Sequence, residues 1–129
     1  MKSFDIDKYK TWLTSDDPFQ RDIAVHVFFH CEHKDDEIDK LLIRMLKTDD
    51  NQEIRRTITQ MFSERAEKKF EVVLFAALKD DDYCVRGKAY LGLVNLGITK
   101  DHKLFCEYRN KAIHDFERFC INEAERRWN

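Results

Sequence analysis

The sequence predicts an all-α chain built from repeated helix pairs, and three observations carry that prediction. Its 129 residues include one proline and three glycines, too few turn-formers for an all-β chain of short strands. Apolar residues recur at three- and four-residue steps along most of the chain, the period of an amphipathic helix. Leu13, Leu46 and Leu78 stand 33 and 32 residues apart, each just ahead of an acidic turn. A period in the thirties with two helices per unit is the mark of an α-solenoid, in which each pair buries its apolar face on the next.

In chain order, Phe4 or Ile6, Tyr9 and Leu13 share a face beside Trp12, which predicts a short lead-in helix. Ser15-Asp16-Asp17-Pro18 then offers N-cap candidates and a proline suited to a first helical turn. Phe19, Ile23, Val27 and Cys31 follow as one stripe, flanked by Ala24 and Phe28. After a polar break, Ile38, Leu41, Leu42, Met45 and Leu46 form the stripe of the pair's second helix. Thr48-Asp49-Asp50 opens the next pair, with Ile54, Ile58, Met61 and Phe62 inward and then Phe70, Val73, Leu74, Ala77 and Leu78. Asp80-Asp81-Asp82 opens the third, with Val85, Ala89, Leu93 and Leu96 inward. Gly97 sits where a left-handed C-cap is wanted, and Thr99 is placed to cap the helix that follows. From His102 onward Phe105, Tyr108, Ala112, Phe116, Phe119 and Cys120 keep helical spacing, as one long helix or two joined near His114-Asp115.

Each first helix carries Arg21, Arg55 or Arg86 shortly after its acidic turn, with Ala24 and Ala89 three positions beyond the arginine in the first and third copies. In this grammar, best kept in DDDYCVRGKAYLGLVNLG and more loosely in DDPFQRDIAVHVF and DDNQEIRRTITQMF, the chain resembles HEAT repeats. The resemblance implies a single domain over 1–129, with repeats at about 13–46, 46–78 and 78–110 and a cap over 111–129. It also implies a protein-binding module, because stacked pairs create an extended concave face. Small free-standing bacterial members of this kind include immunity proteins that neutralise a cognate toxin; the alternative relatives are HEAT-like enzymes, namely bilin lyases and DNA alkylation glycosylases.

Charge narrows these classes. Residues 1–65 carry 11 Lys+Arg against 14 Asp+Glu and residues 66–129 carry 12 against 11, for a net charge of −2. Neither half forms the basic face that a nucleic-acid partner requires. There is no apolar run of membrane-spanning length and no apolar signal core in MKSFDIDKYK, so a cytoplasmic protein without a membrane partner is expected. Cys31, Cys84, Cys106 and Cys120 are widely spaced without a C-x-x-C pair and read as free thiols. Nothing resembles a nucleophile elbow, a phosphate-binding loop or a catalytic Cys-His set, so neither an enzyme nor a cofactor is expected.

Aspartates at helix starts are mostly caps, yet three aligned acidic turns make a rim able to steer a basic partner such as a toxin domain. A second acidic group, Glu32, Asp35, Asp36, Glu37 and Asp39, exceeds what a cap requires. Second helices line the concave face of HEAT-like stacks, so the resemblance nominates Asp35, Asp36, Glu37, Asp39 and Lys40, then Glu71, Val72 and Phe75, then Tyr108 and Arg109 as partner contacts. Phe75 lies opposite its helix's core stripe, either covered by a neighbouring helix or presented as an aromatic anchor. Phe116 and Trp128 in the tail belong to the cap or touch a partner. His26, His30 and His33 fall within a sector of about 60° on one helix, but the helix end near Cys31 displaces His33 and no metal site is expected.

Overall fold

The computed structural model describes residues 5–31, 33 and 35–128; Phe4 and Glu32 lie outside the described residues. Among these there are eight α-helices, one 3-10 turn and no strand. The chain divides into two compact units, Met1–Ile58 and Thr59–Asn129, with the boundary inside one continuous helix.

The first unit begins with α1 (Ile6–Trp12), whose N-cap Asp5 accepts the Lys8 N–H at 3.0 Å. It packs on α2 and is anchored by buried Leu13 just beyond its end. In α2 (Pro18–His30), Asp17 caps the Phe19 amide and proline occupies the first turn, as the sequence predicts. The buried stripe is Ala24, Val25 and Phe28, while Phe19 is 69% exposed and Ile23, Val27 and Cys31 are half-buried. This is one position away from the expected stripe. Arg21 supplies the reason: it lies on the same face as Ala24, Val25 and Phe28, and its guanidinium is held by the Asp49 carboxylate (Nε–Oδ2 2.9 Å, Nη2–Oδ1 3.2 Å). Helix α3 (Asp36–Thr48) is capped by Asp35, which accepts the Glu37 and Ile38 amides. It buries Ile38, Leu42, Met45 and Leu46, close to the expected set.

Helix α4 (Gln52–Arg65) starts from Asn51, whose Oδ1 accepts the Glu53 and Ile54 amides at 2.9 and 3.2 Å. The expected opener, Thr48-Asp49-Asp50, fails because α3 runs through Thr48, and Asp49 is engaged by Arg21 and by the Asn51 amide. Ile54, Ile58, Met61 and Phe62 are buried as predicted. The second unit continues from α4 through Ala66 (φ 50°) and a 3-10 turn (Lys68–Phe70) into α5 (Glu71–Ala77), with Phe62 and Phe70 stacked at 3.8 Å. Helix α6 (Tyr83–Asn95), capped by Asp82, is buried nearly all round and packs on both α5 and α8. Helix α7 (Lys103–Lys111) is capped by His102 rather than Thr99, whose carbonyl instead closes a turn with the His102 amide. The tail then breaks at Ala112–His114 before α8 (Asp115–Trp128).

Among the described residues, two take the left-handed backbone that favours glycine, and one of them is a glycine. Gly97 (φ 89°) closes α6 with the bonds of a Schellman motif, Ile98 N–H to Leu93 C=O and Gly97 N–H to Val94 C=O. Ala66 ends α4 at φ 50° without glycine's freedom. In urea unfolding, Gly97→Ala is expected to cost about 1 kcal/mol and Ala66→Gly to gain about 0.5 kcal/mol. Equal signs for the two changes would contradict this.

Candidate functional site: a groove on α5 and α7

The second unit carries an open cavity of about 650 Å³, within the range of ligand-sized clefts. Phe75, Ala76 and Leu78 form one wall, at the end of α5; Leu104, Tyr108, Ala112 and Ile113 form the other, from α7 and the turn after it. Lys79, Asp81, Glu107 and Lys111 contribute charge along its lining. The arrangement follows from helix faces. The α5 residues Val73, Leu74 and Ala77 are buried in the core, which leaves Val72, Phe75 and Ala76 on the outer side. Val72 is 76% exposed and Ile113 is 90% exposed.

At depth the cavity meets a polar triad. Glu117, 2% exposed, accepts from Arg86 through both carboxylate oxygens (Nη2–Oε1 2.7 Å, Nε–Oε2 3.1 Å) and from the Tyr108 hydroxyl (2.7 Å). Burial pushes the Glu117 pKa up, but the hydrogen bonds from Arg86 and Tyr108 outweigh it and hold the carboxyl below its ordinary value. Burial, and then the bond to Glu117, push the Tyr108 phenol far up, so it stays a donor. The Arg86 guanidinium is held charged chiefly by its bond to Glu117. With these groups satisfied by one another, the triad acts as a staple tying α6, α7 and α8 together. Its chemistry is that of a support for the groove walls.

The same arginine positions explain the acidic turns. Arg21 donates to the Ser15 carbonyl, Arg55 to that of Asp49 and Arg86 to that of Asp80, each six residues upstream. The carboxylates of Asp17 and Asp82 cap α2 and α6, and the Arg21 and Arg86 guanidiniums reach Asp49 and Glu117. Most of the proposed acidic rim is thus engaged in capping and pairing. Asp16, Asp50 and Asp81 remain exposed.

Of the sequence-nominated contacts, Phe75 and Tyr108 meet in the groove. Phe75 is half-buried and stacks on His102 with ring centroids 4.9 Å apart, so it is partly covered and partly presented. Glu71 is half-buried in the first turn of α5. Arg109 turns to the Tyr90 hydroxyl (3.1 Å) and the Lys100 carbonyl (2.6 Å), and Trp128 is half-buried against Tyr90 and Phe105. Phe116 packs on Tyr83 and beside Gly87. These three are internal cement.

In the first unit, Asp35 is a cap, Asp36 and Lys40 are exposed, and exposed Glu37 pairs with Lys10. Asp39 is 2% exposed, with its carboxylate 3.9 Å from the His33 Nε2. That burial removes Asp39 from the surface, because it lies on the same face as Leu42 and Leu46. His26 pairs with Asp22 and stacks on His30, whereas His33 lies against Phe28. Among the described residues, no three His, Cys, Asp or Glu side chains are grouped to hold a metal ion. The four cysteines are free thiols, and burial pushes Cys120 up to about 12.

Sequence reasoning missed Ile113, Lys79, Lys111 and Glu117. Lys79 and Lys111 were within reach, since they stand 32 residues apart, Lys79 just beyond α5 and Lys111 at the end of α7. Ile113 had no signal, because it stands off the stripe of Phe105, Tyr108, Ala112 and Phe116 and the sequence offers a break only as one of two alternatives, near His114-Asp115. No described helix is long and apolar enough to cross a membrane. This all-α protein with a grooved surface matches no protein-family model, and no curated protein matches it at a significant level.

Proposed function

We propose that this chain is a non-catalytic protein-interaction module that seats one protein partner on the α5/α7 groove. The observation that carries the reading is the groove itself. Apolar Phe75, Ala76 and Ile113 line it, with Ile113 fully presented and the exposed charges of Lys79, Asp81 and Lys111 around them, while the buried polar groups beneath are bonded to one another. Such a surface offers anchoring contacts and rigid support. We further read the helix pairs as HEAT-like repeats, supported by the three arginines that each bond the carbonyl six residues upstream.

In the finer form of this reading, the chain acts in the cytoplasm as an immunity protein and blocks a basic toxin domain. Residues 1–58 hold 10 Lys+Arg against 13 Asp+Glu, with Asp16, Asp36 and Asp50 exposed. That charge suits steering of a basic partner. The test is isolation of the partner by co-purification from the native host, followed by calorimetric titration of it into wild type and into Phe75→Glu/Ile113→Glu. The double variant is expected to bind at least 30-fold more weakly, roughly 2 kcal/mol. Unchanged affinity would exclude the groove, and an affinity indifferent to salt would exclude the steering.

A further inference from the structure

We propose that His102 and His114 form a proton-operated latch on the groove, each capping its helix when neutral and releasing it when protonated. The His102 Nδ1 accepts the Leu104 N–H at 3.1 Å and the His114 Nδ1 accepts the Phe116 N–H at 3.1 Å. A backbone amide only donates, so in each contact Nδ1 must offer a lone pair. A protonated imidazole has none on either nitrogen. Acidification therefore cancels both caps and places positive charge where the helix dipole opposes it.

The latch is wired to the groove at both ends. The His102 ring stacks on Phe75, a groove wall, and starts α7, the opposite wall. The His114 ring stacks on Tyr83 of α6 at 3.6 Å and directly follows Ile113. Both rings have charged neighbours of either sign. Asp101 attracts a charged His102, but Lys100 and Lys103 flank it as well, and its neighbours from α5 and α7 are the apolar rings of Phe75 and Phe105. His114 has Asp115 beside it and Glu117 one turn on in α8, with Lys111 ahead of it in α7 and the Tyr83 ring in α6. Glu117 is already engaged by Arg86 and Tyr108. His33 is the contrast. Its Nδ1 also accepts an amide, that of Asp35, but its Nε2 faces the buried Asp39 carboxylate at 3.9 Å. It is not part of the latch.

The consequence for a partner rests on the groove reading above; the latch does not, and its test uses the free chain alone. Imidazoles titrate between about pH 5 and 8, so the Leu104 and Phe116 amide resonances are followed across that window in wild type and in His102→Asn and His114→Asn, singly and together. Asparagine caps at every pH. Each wild-type amide is expected to shift with the protonation of its own histidine and to stop titrating in the matching variant. In parallel, the wild-type folding equilibrium constant should fall relative to the double variant by about five-fold per cap between the ends of the window. If the double variant does not fold, the single variants and the wild-type amide titrations decide. Amides that ignore histidine protonation, or a stability ratio that stays flat, overturn the latch.

Discussion

Glu117→Ala is expected to destabilise the protein by about 3 to 5 kcal/mol in urea unfolding near neutral pH, the largest single-residue loss foreseen here. Three hydrogen bonds converge on that carboxylate from α6 and α7, and it is almost wholly out of water. Its removal leaves the Arg86 charge facing a void, held by the Asp80 and Asp81 carbonyls and the field of the nearby Asp82, and leaves the Tyr108 hydroxyl without its acceptor. Burying an uncompensated charge costs more than the pair itself contributed.

Glu117→Gln separates charge from shape. The carboxyl is held below its ordinary value of 4.5 in the folded state, so the unfolded chain binds its proton more readily. Its contribution is then fully present above that ordinary value and is lost as pH falls through the lower folded value. The gap between wild type and Glu117→Gln should be largest near neutrality and close at acid pH. A gap that stays unchanged however far the pH is lowered would show that the pair's charge contributes nothing.

Helices were legible in the sequence because burial leaves a periodic trace. The stripes of α3, α4 and α5 are the predicted ones, and the Gly97 stop is the predicted cap. What escaped were positions where a polar side chain decides. The α2 stripe is displaced because Arg21 draws its own face inward, and α4 and α7 begin at Asn51 and His102 because the better-looking caps are engaged elsewhere or lie too early. The groove was half legible. Phe75 stood out as an aromatic residue opposite its core stripe, and Tyr108 as a residue of a second helix. Glu117 was hidden because its meaning depends on Arg86, 31 residues away. The polar pattern around α8 is that of any solvated helix until the partner is known.

Gly87→Val is expected to cost about 2 to 3 kcal/mol, and the reason lies at the contact between α6 and α8. A Cβ at position 87 stands 2.8 Å from the Phe116 ring and 2.9 Å from the Cys120 Sγ, distances that demand a shift on one side or the other. Phe116 is half-buried and can swing its ring outward; Cys120 is fully buried and cannot. Glycine inside a helix forfeits about 1 kcal/mol of propensity relative to alanine, so the sequence accepts that loss to let the helices approach. Gly87→Ala pits that propensity gain against the clash and should come out near neutral or mildly destabilising, whereas the branched valine adds methyls with nowhere to go. The mechanism predicts coupling. In a Cys120→Ala background, which removes the buried Sγ, Gly87→Ala should become favourable by about 1 kcal/mol relative to its effect in wild type. Strict additivity in that double-mutant cycle would mean that the close approach at Gly87 is set by something other than the cysteine.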